Sequence, residues 1–264
     1  MALDNPAFSR NDAFTKQKPT PSAADLQALY DQPSAAPQGT REVMTIETTI
    51  GKSVLAFGLL LVLAAAGFLV PIWPVVIVAG IAGFVLALVN SFKKEPSKAL
   101  ILAYTACQGY VVGAISAIYE QQWNGIVGQA VLATLVVVGV TLALFASGKI
   151  RASKRATKIF LIAMIGYGVF SLINFGLMVF GVNDDPWGLR GADFLGTGIP
   201  FGLILGVFVV ILGAYSLVLD FDFIQQGVRN RADRKYEWTG VFGIMVTVIW
   251  LYLEILRMIA IARD

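Results

Sequence analysis

The stretch SVLAFGLLLVLAAAGFLVPIWPVVIVAGIAGFVLALVN, residues 53–90, contains no charged side chain, and its prolines are confined to Pro71 and Pro74. Its two apolar runs, 53–71 and 74–91, are each long enough, at about 1.5 Å per residue, to cross about 30 Å of hydrocarbon as a helix. The two prolines break the pattern between them. The stretch therefore predicts two membrane-spanning helices joined by a tight turn.

Five further apolar runs follow this pair. The seven predicted spans are 53–71, 74–91, 99–119, 126–147, 158–181, 198–219 and 238–262. Apolar residues make up 57% of the chain and charged residues 14%, against roughly 45–50% and 25% in soluble domains. No run alternates apolar with polar residues, which excludes a strand barrel. We therefore predict an all-α membrane protein, with a seven-transmembrane-helix bundle over residues 51–264.

Residues 1–50 differ from the rest of the chain in composition. They hold five of its ten prolines among Ser, Ala, Gln and Asp, with too little apolar surface to offset the entropy of ordering. They also lack the basic and apolar regions of a secretory signal. We therefore expect a disordered tail that is retained on the cytoplasmic side.

Charges in the connecting segments alternate along the chain. Segments 92–98, 148–158 and 229–235 are basic, whereas 71–74 is uncharged, 120–125 carries one acid, and 181–200 carries three aspartates and only Arg190. Because Lys and Arg near a span resist translocation, the N-terminus is predicted to be cytoplasmic and the C-terminus outside, in the plasma membrane. The net charge of +3 forms no basic face that would suggest a nucleic-acid partner.

Missing residue types argue against several membrane enzymes. The chain has no histidine, which excludes seven-helix zinc hydrolases, HExxH metalloproteases and rhomboid-type Ser/His proteases. The GxGD motif of intramembrane aspartyl proteases is also absent. We expect neither enzymatic activity nor a resident cofactor, apart from transient binding of calcium.

Ionisable residues inside the spans are functional candidates, because each costs about 2.5–3.5 kcal/mol on insertion scales. They are Asp220 and Asp222 in the sixth run and Glu254 and Arg257 in the seventh. The two aspartates are about 200° apart on a helix, so only one can face the bundle interior. Small residues that recur at three- and four-residue steps predict that Asp220 and Glu254 face inward. The stripe on the sixth run is Gly202, Gly206, Gly213, Ser216 and Asp220. The stripe on the seventh run is Gly240, Gly243, Thr247, Trp250, Glu254 and Arg257.

Structural interpretations of the same residues remain open. Arg229 and Arg231 in the next loop could neutralise the two aspartates, Glu254 and Arg257 could form an i, i+3 pair, and the small-residue stripes could serve helix packing alone. Desolvation raises the pKa of a carboxyl group inside a bundle and a nearby cation lowers it, so its charge can switch in the physiological range. Asp220, Glu254 and Asp222 are accordingly candidate pH-sensing residues.

The chain resembles the Bax inhibitor-1/YccA family, also called the transmembrane Bax inhibitor motif family. The resemblance rests on the seven-helix body, the segment Asp222-Phe-Ile-Gln-Gln-Gly227 and the terminal Leu251-Tyr-Leu-Glu-Ile-Leu-Arg257, and a tail beginning Asn5-Pro-Ala-Phe-Ser9 resembles an actinobacterial-like branch. It implies a central helix surrounded by the others and a pH-sensitive calcium leak gated by two acids on the last two helices. Asp220 matches the first acid, and Glu254, Asp222 or an arginine partner stands for the second.

Two functions follow from the resemblance and these residues. The first is a passive, pH-modulated leak for calcium or another cation, with Asp220 as a calcium ligand, since hard cations prefer oxygen. The second is a non-conducting regulator that binds another membrane protein, such as a membrane protease. A regulator should depend on the tail, whereas a leak should survive its deletion.

Overall fold

The computed structural model describes residues 42–183 and 185–264, together with residues 22, 23 and 27. Most of the tail predicted to be disordered lies outside these residues. Seven long helices follow from residue 46: α1 Ile46–Leu69, α2 Trp73–Phe92, α3 Lys98–Gln122, α4 Ile126–Ala146, α5 Lys154–Val179, α6 Phe201–Arg229 and α7 Glu237–Arg263. All seven are long and apolar enough to cross a membrane, which confirms the predicted bundle.

Two helices extend well beyond the predicted apolar runs. Helix α1 begins at Ile46 rather than at 53, and α6 continues to Arg229 rather than ending at 219. The Thr45 side chain caps α1 by accepting a hydrogen bond from the Thr48 amide at 3.2 Å. Hydropathy marks only the hydrocarbon-facing part of a helix, so polar turns at its ends escape detection. The bundle therefore begins near residue 42, and residues 42–50, assigned above to the tail, belong to it.

Helix α7 is the centre of the bundle. Of its most apolar 18-residue window, 61% is buried, against 11% for α5. It packs against α6, α4, α1 and α3. This arrangement agrees with the central helix that the resemblance implies, and it puts the side chains of α7 in an environment that excludes lipid.

Helices α1 and α3 touch backbone to backbone through glycines. A Cβ atom added to Gly113 would lie 1.9 Å from the Ala64 carbonyl oxygen, and one added to Gly67 would lie 2.1 Å from the Tyr110 carbonyl oxygen. Small residues permit such close approach, and the resulting dispersion contacts hold membrane helices together where lipid removes the hydrophobic driving force.

Basic segments meet at one end of the bundle, as their alternation predicts. Arg234 pairs with Glu42 at 2.8 Å and Lys235 with Glu95 at 2.6 Å. The hydrogen bond and charge of Lys235 lower the pKa of the exposed Glu95 carboxyl. Three connecting segments are thereby joined: the one before α1, the one after α2 and the one before α7.

The α1–α3 contact gives a stability prediction. Gly113→Ala should lower the free energy of unfolding by about 1–3 kcal/mol, because the new methyl group meets backbone that cannot rotate away. Thermal unfolding in detergent would measure the loss. Gly139→Ala on α4 is the matched control, since nothing lies within 4 Å of the added carbon. Equal melting temperatures for the two variants would contradict the close contact.

Candidate functional site

Asp220 lies on α6 and faces α7 across the bundle. Its Oδ2 accepts a hydrogen bond from the Thr247 hydroxyl at 2.7 Å, and the hydroxyls of Thr247 and Ser216 lie 3.2 Å apart. Gly243 gives the carboxylate room, because a Cβ there would lie 2.6 Å from Asp220 Oδ1. The inward position predicted for Asp220 agrees with this geometry.

The small-residue stripe of α6 is a packing surface for α7. Gly202 accommodates Ile261, Gly206 accommodates Met258 and Gly213 accommodates Leu251, each within 3.0 Å of the Cβ that a larger residue would carry. One glycine thus receives one large side chain of the antiparallel helix. The interpretation that the stripe serves packing is therefore correct for these three glycines.

Asp222 lies on another face of α6, where it accepts a hydrogen bond from Gln226 Nε2 at 2.5 Å. It is one of the residues that line a groove between α5 and α6. Within the described residues neither Asp220 nor Asp222 forms an ion pair with Arg229 or Arg231, so the proposed neutralisation by these arginines is not observed. Both arginines are exposed at the end of α6, beyond the bundle.

Glu254 is buried on α7 and is shared by two arginines. Arg257 Nη1 donates to its Oε1 at 2.7 Å, as the i, i+3 spacing predicts. Arg190 Nη1 lies 3.3 Å from Oε2, and the Tyr167 hydroxyl donates a short hydrogen bond to Oε1. The predicted local pair is therefore part of a larger cluster, which we call the Glu254 cluster: Tyr167, Ser171, Arg190, Glu254 and Arg257.

Arg190 comes from a short 3₁₀ turn, Gly188–Arg190, in the segment between α5 and α6. Asn174 of α5 fixes this turn: its Oδ1 accepts from the Leu189 amide at 2.6 Å and its Nδ2 donates to the Trp187 carbonyl at 3.3 Å. The Gly188 backbone has a φ of +61°, which favours glycine. Sequence reasoning missed Arg190, although a lone arginine in an otherwise acidic segment was a usable signal.

Charges in the Glu254 cluster do not cancel. One carboxylate faces two guanidinium groups, and Arg190 also donates to Tyr167 at 3.0 Å and Ser171 at 3.2 Å. The Arg190 side chain is only 7% exposed, whereas that of Arg257 is 33% exposed. With Glu254 ionised and Tyr167 neutral, the cluster carries one net positive charge, which opposes the passage of a cation at this depth.

Asp220 and Glu254 do not form a pair. Asp220 contacts Thr247, and Glu254 lies seven residues further along α7, a rise of about 10 Å. The two-acid gate implied by the resemblance is thus absent from this conformation. In its place, Thr247 faces the first acid and two arginines face the second.

A cavity of about 300 Å³ opens at the basic end of the bundle, on the same side as Asp220. Phe223, Thr239 and Phe242 line it, together with Lys93 and Lys94 at the rim. Phe223 is one helical turn beyond Asp220 on α6. The cavity therefore comes within one helical turn of Asp220, which is not itself one of the lining residues.

A second buried acid, Glu237, was also missed by the sequence analysis. It opens α7, its side chain is fully buried, and Lys52 Nζ approaches its Oε2 at 2.6 Å. The Thr48 hydroxyl donates to Oε1 at 2.5 Å and the Thr45 amide at 3.1 Å. These contacts join the first turns of α1 and α7, so Glu237 has a structural role. Because Glu237 follows directly after a charged segment of the sequence, hydropathy gave no sign that its side chain is buried.

No group of three or more His, Cys, Asp or Glu side chains arranged to hold a metal ion occurs in the part of the chain that the structure describes. Asp220 would therefore offer calcium a single carboxylate, with the Thr247 and Ser216 hydroxyls beside it. Such a set is far from the six to eight oxygens of a tight calcium site. Any cation here would be held weakly and would keep most of its water.

Comparison with models of known protein families gives a match. The family model described as "Bax inhibitor 1 like" matches residues 5–264, which is nearly the whole chain. No curated protein matches the sequence.

The Glu254 cluster predicts a specific energetic coupling. Arg190→Met should destabilise the protein by about 2 kcal/mol, less than the roughly 3–5 kcal/mol for a buried pair broken outright, because Arg257 still neutralises Glu254. Adding Glu254→Gln should recover part of the loss in a double-mutant cycle of unfolding in detergent. Arg229→Met, which removes an exposed arginine, is the control and should change stability by less than about 0.5 kcal/mol. Strictly additive effects would contradict the coupling.

Proposed function

Because the chain belongs to the Bax inhibitor 1-like family, we propose that this multi-pass membrane protein is a pH-sensitive leak for calcium or another cation, without enzymatic activity. The observation that carries the proposal is Asp220, a carboxylate inside the bundle whose hydrogen-bond partner is the neutral Thr247 hydroxyl. An acid without a cationic partner at membrane depth is costly, so its presence there favours a role in ion passage.

Access to Asp220 supports the leak. The cavity lined by Phe223, Thr239 and Phe242 comes within one helical turn of Asp220, and in this proposal water reaches the carboxylate from the basic end through it. Protonation of Asp220 would remove the negative charge that attracts a cation there, while the Thr247 hydroxyl, which also contacts Ser216, could still hydrogen-bond the neutral carboxyl. We therefore expect the cation flux to fall when the solution at the basic end of the bundle is acidified.

The Glu254 cluster supports a closed outer half. A cation that has reached Asp220 would next meet the net positive charge of Arg190, Arg257 and Glu254, about 10 Å along α7. Conduction therefore requires the arginines to withdraw. Arg190 is the better candidate for movement, because it lies in a connecting segment and not in a transmembrane helix.

The proposed orientation has the N-terminus in the cytoplasm and the C-terminus outside the plasma membrane. It is supported by the basic segments around Lys93, Arg151 and Arg234, which lie at the same end of the bundle. In this orientation Asp220 lies in the cytoplasmic half of α6, and Arg190 comes from an outer segment.

The leak is tested by calcium flux into dye-loaded liposomes containing the purified protein. Wild type should conduct differently at pH 6 and pH 8, and Asp220→Asn should remove most of that difference, because an amide cannot titrate. Asp222→Asn is the matched control and should keep it, since Asp222 faces α5. Equal flux for wild type and Asp220→Asn at both pH values would exclude Asp220 as the gate.

A second candidate function is a non-conducting regulator that binds another membrane protein, and one surface favours it. Helix α5 is the least buried of the seven, and Gly166, Gly168 and Gly176 have nothing within 4 Å of an added Cβ. Small exposed residues on a membrane helix let a second helix approach closely.

Removal of the tail separates these two functions. A protein lacking residues 2–41 should retain the calcium flux of the full chain within about twofold, because Asp220 and the Glu254 cluster lie in residues 167–257. A scrambled tail of the same length controls for effects on reconstitution. Absence of flux from the full chain at both pH values would favour the non-conducting regulator, and flux that is lost when the native tail is removed or scrambled would contradict a leak formed by the bundle alone.

A further inference from the structure

A groove of about 550 Å³ runs between the first half of α5 and the last half of α6 and opens toward the surroundings of the bundle. One face of α5 forms one wall, with residues at i, i+4, i+7 and i+11: Lys154, Lys158, Leu161 and Ile165. The other wall belongs to α6. The mechanism proposed above does not use this groove.

Polarity changes along the groove in one direction. Its mouth, at the basic end of the bundle, is lined by Lys154, Lys158 and Ser153, and its inner part by Leu161 and Ile165. From Lys154 to Ile165 the rise is about 16 Å, close to half of the roughly 30 Å hydrocarbon thickness. The groove therefore matches one leaflet in depth, with a charged end at the interface.

Charge at the mouth is unbalanced. Neither Lys154 nor Lys158 has an ion-pair partner among residues 42–183 and 185–264. The N-terminus of α5, capped by Ser153, adds its positive dipole end. Asp222 is the one acid in the lining, and it leaves a net charge of +1. An occupant must therefore offer an anionic group to the lysines and a donor to Asp222.

The mouth of the groove is held open at a fixed width. The Tyr215 hydroxyl on α6 lies 3.0 Å from the Thr157 hydroxyl and accepts from the Ser153 amide at 3.4 Å, and the Phe160 and Tyr215 rings lie 5.5 Å apart. These contacts link the first turns of α5 to α6. Further along, α5 is largely unburied, so the groove has a firm head region and an open side.

We propose that this groove binds an anionic phospholipid whose headgroup carries hydroxyl groups, of the phosphatidylglycerol class. The phosphate lies between Lys154 and Lys158, a headgroup hydroxyl donates to Asp222, and an acyl chain follows Leu161 and Ile165. A soluble anion would leave the apolar wall uncovered. A choline headgroup is zwitterionic, so it would not neutralise the net charge of +1, and its quaternary ammonium has no hydrogen to donate to Asp222.

The proposal is tested by titrating the full-length protein, in mild detergent, with dioleoylphosphatidylglycerol or dioleoylphosphatidylcholine and counting bound lipids by native mass spectrometry. Phosphatidylglycerol should bind the wild type more tightly. The double variant Lys154→Gln with Lys158→Gln should weaken that binding roughly 25-fold, because each lysine near a membrane surface contributes about fivefold to the affinity. Lys154→Arg with Lys158→Arg should retain it.

Lys149→Gln with Arg155→Gln is the control, because it removes the same charge from residues outside the groove and should change binding less than about twofold. Leu161→Trp tests the apolar wall and should weaken binding while both lysines remain. Equal affinity of the wild type for the two lipids, or equal affinity of the two glutamine variants for phosphatidylglycerol, would overturn the proposal. A dimer that persists after lipid is added would also overturn the proposal, because a second copy of the chain would then occupy the groove.

Discussion

Hydrocarbon offers no hydrogen-bond partners, and this constraint shapes every part of the protein. Backbone groups must bond within their own helix, so each apolar run becomes a helix and irregular backbone is confined to the ends. The same constraint applies to side chains. Glu254, Arg190 and Tyr167 satisfy one another inside the bundle, and Asp220 accepts a hydrogen bond from Thr247.

Between helices, geometry replaces the hydrophobic effect. Lipid tails are as apolar as leucine, so helices adhere only where they fit closely. Glycines provide that fit where α3 meets α1 at Gly113 and where α6 meets α7 at Gly206. The close fit between α6 and α7 also holds Asp220 and Glu254 at fixed depths. Neither helix can slide along the other without moving large side chains of α7 away from the glycines of α6 that accommodate them.

The sequence predicted the features that depend on local pattern. Seven spans follow from run length, the gathering of basic segments from charge alternation, and the inward position of Asp220 from the spacing of small residues. It did not predict Arg190 beside Glu254, because that contact depends on how Asn174 holds a turn across 16 residues of chain. Nor did it predict the burial of Glu237, since helix ends look solvent-exposed when only hydropathy is considered.

Helix α5 has consequences for how the protein assembles. It is the least buried span, and its described polar attachments are few: the Tyr215 hydroxyl near its start, the Glu254 cluster at Tyr167 and Ser171 in its middle, and Asn174 toward its end. Elements with few internal contacts open at the lowest free energy, so its amides should exchange with solvent deuterium sooner than those of α7. This suggests an order of assembly. The other six helices, α7 among them, form the bundle first, and α5 docks against it last.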